Sequence, residues 1–306
     1  MVSSLPEHVT VFEVGPRDGL QNEFETVSTG TKIRFIEQLA KTGLTQIEVT
    51  SFVSPKAIPQ LADALEVVMR LHATRGVTYS ALVPNLKGLE RAIESGIQQI
   101  AVFTAASETF VQKNIRMDIE GSLRVFKEVI DTAKPHGISV RGYVSTGFVC
   151  PYEGEVSKEK VAEISKRLLE MGVYQVSIGD TIGAASPLDV QKTIGHLLAK
   201  LPADKIALHF HDTYGTAMAN VYAGLQLGIS TFDTSAGGLG GCPYAPGASG
   251  NLGTEDLIYM LDRMGIHSGV NLEAVFHASE VIAKELHREL PSRQWKRLRS
   301  KDPLKS

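Results

Sequence analysis

Short runs of consecutive apolar and β-branched residues alternate along this chain with longer segments whose apolar positions recur every three or four residues. The short runs occupy residues 9–14, 46–50, 78–83, 99–103, 139–144, 174–178, 206–210 and 231–235. Apolar residues on consecutive positions suit strands covered on both faces, as in a parallel sheet. Between them the period changes to that of a helix. Ile33, Ile36, Leu39 and Ala40 mark such a face within residues 31–42, and Val161, Ile164, Leu168 and Leu169 mark another within 157–171, with Ser157 as its start signal. A unit of helix, glycine, apolar residue and strand recurs at Gly43-Leu44, Gly96-Ile97, Gly137-Ile138, Gly172-Val173 and Gly228-Ile229.

Eight strands alternating with helices predict an α/β fold, a (β/α)8 TIM barrel in preference to an open sheet. Helical segments at 255–264 and 271–290 follow the eighth strand. The expected organisation is therefore a single domain: a catalytic barrel over residues 1–265, then additional C-terminal helices and a basic tail over 266–306, packed on or beside it.

In such barrels the reactive groups sit at the C-terminal ends of the strands, and the unusual polar residues fall there. Strand one runs into Gly15-Pro16-Arg17-Asp18-Gly19, strand two carries Glu48, and strand seven reads Leu208-His209-Phe210-His211-Asp212. Positions i and i+2 of a strand share a face, so His209 and His211 point together into the barrel mouth. Two neutral imidazoles suit a divalent cation; the alternative is a pair of satisfied histidines at a strand end. Asp18 is the nearest carboxylate once strands one and eight close the ring, and Asn251 offers an amide oxygen. Each has a plainer reading, Asp18-Gly19 as a turn and Asn251 as a helix cap. Asp212 competes as a ligand, although strand alternation turns it away. Nitrogen and oxygen donors without thiolate favour Mg²⁺ or Mn²⁺ over tetrahedral Zn²⁺. Arg17 is placed to hold a carboxylate or an enolate oxygen, and an ion pair with Glu48 would fix it. Cys242 lies in the glycine-rich segment 237–250, which suits a loop closing over a ligand, though an inert cysteine fits equally. Cys150 reads as structural.

Composition narrows the partners. The formal net charge of −3 over 306 residues predicts no strong affinity for nucleic acid or an anionic membrane. The basic stretch 288–305 reads as a solvated tail. No apolar run reaches the roughly 20 residues that span a bilayer, and the N-terminal residues lack a signal-peptide pattern. Two cysteines form no disulfide framework and fit a reducing cytoplasm.

Several stretches together resemble the 3-hydroxy-3-methylglutaryl-CoA lyase family of metallolyase barrels, which also include isopropylmalate and homocitrate synthases. They are Val14-Gly15-Pro16-Arg17-Asp18-Gly19-Leu20-Gln21-Asn22, Thr50-Ser51-Phe52-Val53-Ser54-Pro55-Lys56, Arg141-Gly142-Tyr143-Val144-Ser145, Cys150-Pro151-Tyr152-Glu153-Gly154, residues 209–215 and residues 237–251. The glycine loop with Cys242 is the part most specific to the lyase. The resemblance implies that Asp18, His209, His211 and Asn251 ligate the cation. It implies that Arg17, Asp18, Glu48, His209 and Cys242 serve catalysis, and that Arg17, Gln21, Asn114, Tyr143 and Ser177 meet the substrate, with Asp180 also lining the site. It also implies an acyl-CoA substrate, cleavage to acetyl-CoA and acetoacetate in leucine breakdown or ketone-body formation, and a cytoplasmic homodimer. Alternatives are a lyase of longer branched 3-hydroxyglutaryl-CoA esters and a condensing acyltransferase of the isopropylmalate or citramalate synthase type.

Overall fold

The computed structural model describes residues 5–241 and 250–300. Its strands are β1 (Thr10–Glu13), β2 (Gln46–Ser51), β3 (Thr78–Leu82), β4 (Gln99–Ala105), β5 (Ser139–Ser145), β6 (Val149–Cys150), β7 (Gly154–Glu155), β8 (Val176–Asp180), β9 (Ile206–Phe210) and β10 (Thr231–Thr234). Of these, β6 and β7 pair as a small antiparallel hairpin, and the other eight close a barrel in the order β1-β2-β3-β4-β5-β8-β9-β10. Parallel pairing of β1 with β10, from Thr10↔Thr231 to Glu13↔Thr234, completes the ring. The expected (β/α)8 TIM barrel is the fold observed.

Outward-facing strand residues and the helices share a continuous apolar layer that includes Ile47, Val49, Ile100, Val102, Val176 and Ile178, all buried. Each fully buried side chain of this size contributes roughly 1.5–3 kcal/mol, so this layer supplies the stability. The helix expected from residue 31 starts two residues earlier and spans Thr29–Leu39, because the Ser28 hydroxyl accepts from the Thr31 amide and caps it. Ser157 caps Lys158–Met171 in the same way, and Gly172 ends that helix at φ 110°, a conformation side-chain-bearing residues rarely adopt.

The C-terminal segment departs from expectation. The helix expected over 271–290 ends at Glu285: Leu272–Glu285 packs against the helices Thr29–Leu39 and Thr254–Met264, and a further helix follows at Arg293–Arg299. Nor are the described residues of 288–300 a solvated tail. Ser292 caps the last helix, Asp256 accepts from the Arg293 and Gln294 amides, and Trp295 is fully buried beside Phe276. Burying an indole outweighs solvating a short basic run, whose charges still reach water at the helix surface.

The barrel interior is polar. Arg141 on β5 forms a two-pronged ion pair with Asp233 on β10, at 2.7 and 3.1 Å, and lies over the Phe12 ring at 4.0 Å. Below it, Gln175 links Arg141 to Thr231, and Gln99 links Gln46 to Tyr174. Above it come Tyr143, Ser177 and His209, at the mouth.

Glu13 ties three elements together at that mouth. Its Oε1 accepts from the Gly15 amide (2.7 Å) and the Ala236 amide (2.9 Å), and its Oε2 accepts from the Thr254 hydroxyl (2.6 Å). Burial raises its carboxyl pKa from 4.5 to about 7, against those three donors. The folded chain thus holds this proton more tightly than the unfolded one. The associated stability is fully present below about pH 4.5 and is lost as pH rises through about 7. Glu13→Gln keeps an acceptor for both amides and a donor toward Thr254 but cannot ionise. Its Tm relative to wild type should rise by a few degrees between about pH 5 and pH 8, at roughly 2–4 °C per kcal/mol. Thermal melts at the two pH values check this, and parallel curves would count against it.

Candidate active site

Asp18 stands over the barrel mouth because the chain after β1 coils into a tight π-turn, Gly15–Gly19. The amides of Arg17, Asp18 and Gly19 all converge on the Val14 carbonyl, at 3.1, 2.7 and 3.3 Å. This is a longer coil than the simple turn that Asp18-Gly19 suggests, and it projects Arg17 and Asp18 side by side. Across the ring, His209 at the end of β9 and His211 just beyond it share the inward face. Their Nε2 atoms are 3.2 Å apart, and each is 3.9 Å from Asp18 Oδ2. Among the described residues these three form the acid–histidine group suited to a metal, one ligand atom from each lying within 4.8 Å of the others.

Asn251 completes the ring of donors. It bridges antiparallel to His211, and its Nδ2 donates to Asp18 Oδ2 (2.9 Å) and to the Leu239 carbonyl (3.1 Å). It does not cap a helix: the next one begins at Thr254, with Gly253 as its N-cap. Among the described residues its Oδ1 is buried with no hydrogen-bond partner. A buried amide oxygen left without a donor beside two facing imidazoles and a carboxylate is the chemistry a hard divalent cation satisfies. The donor set therefore fits the expected metal. Asp212 does not compete, because its Oδ1 accepts from the Ala217 amide at 3.0 Å.

Arg17 is held between two carboxylates, its Nε donating to Glu48 and its Nη1 to Asp18. Glu48 also accepts from the Tyr143 hydroxyl (3.3 Å), and the Arg17 guanidinium lies 5.5 Å from the centre of that ring. These charges shape one another. Burial alone would raise the Asp18 carboxyl, but Arg17, His209, His211 and the Asn251 amide hold it well below the usual carboxylate range. Burial pushes Glu48 above that range even against Arg17. Burial, then the neighbouring His209, lowers His211 to about 4, so its imidazole stays neutral near pH 7 and free to bind a cation.

A cavity of about 400 Å³ opens beside these groups. Arg17, Asp18, His209 and His211 line it, as do the sequence-identified Gln21, Asn114, Tyr143 and Ser177. Phe103, Phe110 and Met117 give it an apolar wall. Glu48 reaches the site only through Arg17 and Tyr143. Asp180 turns away from it: its carboxylate accepts from the Ala184 and Ala185 amides, both at 3.1 Å, and burial raises it to about 7. Cys150 is buried with its thiol on the Ser107 hydroxyl (3.0 Å), in keeping with a structural role. Cys242 lies outside the described residues. The glycines flanking that stretch meet: a Cβ on Gly250 would lie 2.4 Å from the Gly240 carbonyl, and one on Gly240 would lie 2.7 Å from Asn251 Nδ2, so neither position tolerates a side chain. Asp233 and Arg141 went unrecognised as site residues. Their signal was present, because charged residues inside buried strands are paired or functional.

Comparison with known proteins agrees with this geometry. Residues 8–282 match the HMGL-like family model. The hydroxymethylglutaryl-CoA lyase YngG of Bacillus subtilis is 52% identical over 94% of this chain and 96% of its own length, and the human mitochondrial hydroxymethylglutaryl-CoA lyase is 48% identical over 95% and 90%. The crystal structure of the Bacillus subtilis HMG-CoA lyase superposes with a TM-score of 0.95 at 51% identity, covering 96% of this chain and 99% of that one. An HMG-CoA lyase of Acinetobacter baumannii, solved with coenzyme A and 3-methylmalate, superposes with a TM-score of 0.91 at 38% identity, covering 96% of each chain. A family model spanning nearly the whole barrel and relatives of about half identity along nearly the full length agree: this chain belongs to the HMGL-like family.

Proposed function

We propose that this chain is a divalent-metal-dependent carbon–carbon lyase that cleaves 3-hydroxy-3-methylglutaryl-CoA to acetyl-CoA and acetoacetate. The observation that carries this reading is the Asp18–His209–His211 cluster on the wall of the cavity that Arg17 also lines. The relatives reported above are lyases, which favours cleavage over condensation, and coenzyme A in the Acinetobacter enzyme supports an acyl-CoA substrate here.

Asp18, His209, His211 and Asn251 would hold Mg²⁺ or Mn²⁺. Bound there, such an ion lowers the pKa of the substrate's C3 hydroxyl and orients the bond to C2. Loss of the hydroxyl proton turns C3 into the ketone of acetoacetate, while the C2–C3 electron pair passes to the thioester as an enolate. Asp18 and His209 stand where that proton leaves, and either takes it as a general base. The enolate oxygen gathers charge as the bond breaks. Arg17 stabilises it with the donors left free by Glu48 and Asp18, and needs no reorganisation because both carboxylates already hold it. Protonation of the enolate carbon completes acetyl-CoA, and the family resemblance assigns that transfer to Cys242 or a water it positions. Gln21, Asn114, Tyr143 and Ser177 orient the acyl group, with the phenylalanine wall excluding water. A cytoplasmic homodimer belongs to the same reading, on the resemblance alone.

Incubation with the hydroxymethylglutaryl thioester and Mg²⁺ should release acetoacetate, and chelation by EDTA should abolish it; no acetoacetate in either condition would sink the assignment. Arg17→Gln should lower kcat by on the order of 10²–10³ while Mn²⁺ affinity in the absence of substrate is retained. Near-normal turnover would remove Arg17 from the mechanism. Asp18→Ala and His211→Ala should instead weaken Mn²⁺ binding itself, read by calorimetric titration.

A further inference from the structure

We propose that Asp233 is a positioning residue for this site: it holds the His209 imidazole with Nδ1 carrying the proton and Nε2 free for a cation. The inference rests on the cation reading above and extends it to a residue that touches neither metal nor substrate.

Three features support it. First, backbone pairing sets the meeting, since Asp233 on β10 is the register partner of His209 on β9. Second, the Asp233 carboxylate is immobilised by three donated hydrogen bonds. Arg141 Nη2 donates to its Oδ1 at 2.7 Å, Arg141 Nη1 donates to its Oδ2 at 3.1 Å, and the Ser177 hydroxyl donates to Oδ2 at 2.7 Å. Arg141 is itself locked by Gln175 and by the Phe12 ring beneath it. Third, Oδ2 faces His209 Nδ1 at 3.4 Å, and among the described residues that buried nitrogen has no other partner. The contact is long and off the line of a full hydrogen bond, and Oδ2 is the acceptor this nitrogen faces. His211 differs: among the described residues its Nδ1 has no hydrogen-bond partner, and its contact with the Asp18 carboxylate is made through Nε2. One imidazole is therefore aimed by a fixed carboxylate and its neighbour is not. A histidine that binds metal commonly donates its other ring N–H to such an acceptor, which fixes the tautomer and raises the basicity of the binding nitrogen.

An Arg141–Asp233 pair that merely balances charge would leave metal affinity untouched, and this separates the two roles. Mn²⁺ titration of the metal-free enzyme would compare wild type, Asp233→Asn, and Leu197→Ala, a core truncation on the outer helix Pro187–Leu198 that lowers Tm without touching the site. Asp233→Asn should bind Mn²⁺ roughly 10–100-fold more weakly, and Leu197→Ala should bind as wild type does despite its lower Tm. Wild-type affinity in Asp233→Asn would overturn the proposal. Should that variant fail to fold, ¹⁵N imidazole spectra of the metal-free wild-type protein decide: an Nδ1–H His209 supports the proposal, an Nε2–H form overturns it. A wild-type protein that binds no Mn²⁺ would sink the cation reading, while the His209 tautomer would still judge Asp233.

Discussion

Closure of the ring between β1 and β10 is the constraint on which the rest of this molecule depends. Asp18 and His209 are far apart in the chain, and they face one another only because the first and last strands pair in parallel register. With β1 fixed against β10, and β10 against β9, the turn after β1 hangs over the histidines of β9. A shift of one residue in either pairing would turn one set of side chains into the outer apolar layer. Ring closure therefore decides stability and site geometry together, and Glu13 shows both at one atom. Its Oε1 joins the turn that bears Arg17 and Asp18 to the chain leaving β10.

Within the ring, the interior departs from the branched aliphatic filling usual for such barrels. Its centre is a fully desolvated ion pair, Arg141–Asp233, surrounded by amides and hydroxyls that satisfy one another. A buried pair of this kind adds little net stability, because desolvating two charges offsets their attraction. What it provides is geometry. Each charged group has its direction set by several partners, so the polar column through the barrel acts as a stiff post under the site. Stability comes from the apolar layer outside the strands, and this division leaves the interior free to serve chemistry.

The site continues the same logic upward. Arg17 lies between Asp18 and Glu48 and lowers both carboxyls, yet their net shifts are opposite. Asp18, nearer the histidines and the Asn251 amide, stays ionised, whereas Glu48, enclosed under Arg17 and Tyr143, is pushed up by burial. One carboxylate is kept as an anion for a cation, the other as a brace for a guanidinium. On the far side of the site, the chain leaving β10 is pinned at successive amides, Ala236 on Glu13 and Gly237 on Glu255, where it enters the glycine-rich segment.

Much of this was readable from local pattern. Alternating periods predicted the eight strands, and the i, i+2 spacing of His209 and His211 placed both on one face, because those features depend only on neighbours in the chain. Family resemblance supplied Tyr143, Ser177 and Asn114. What went wrong or missing has one cause. Local pattern and resemblance give a basic tail where the last helix buries Trp295, a lining position for Asp180, and no sign of the Arg141–Asp233 pair. Each depends on a partner contributed by another part of the chain: Asp256 and Phe276 for the last helix, the loop after β8 for Asp180, opposite sides of the ring for the ion pair. The sequence by itself determined the elements, their period and the residue types at the strand ends. Only the tertiary structure decided which buried charges meet, because that choice is made by ring closure and register across long stretches of chain, where no local pattern carries the distance.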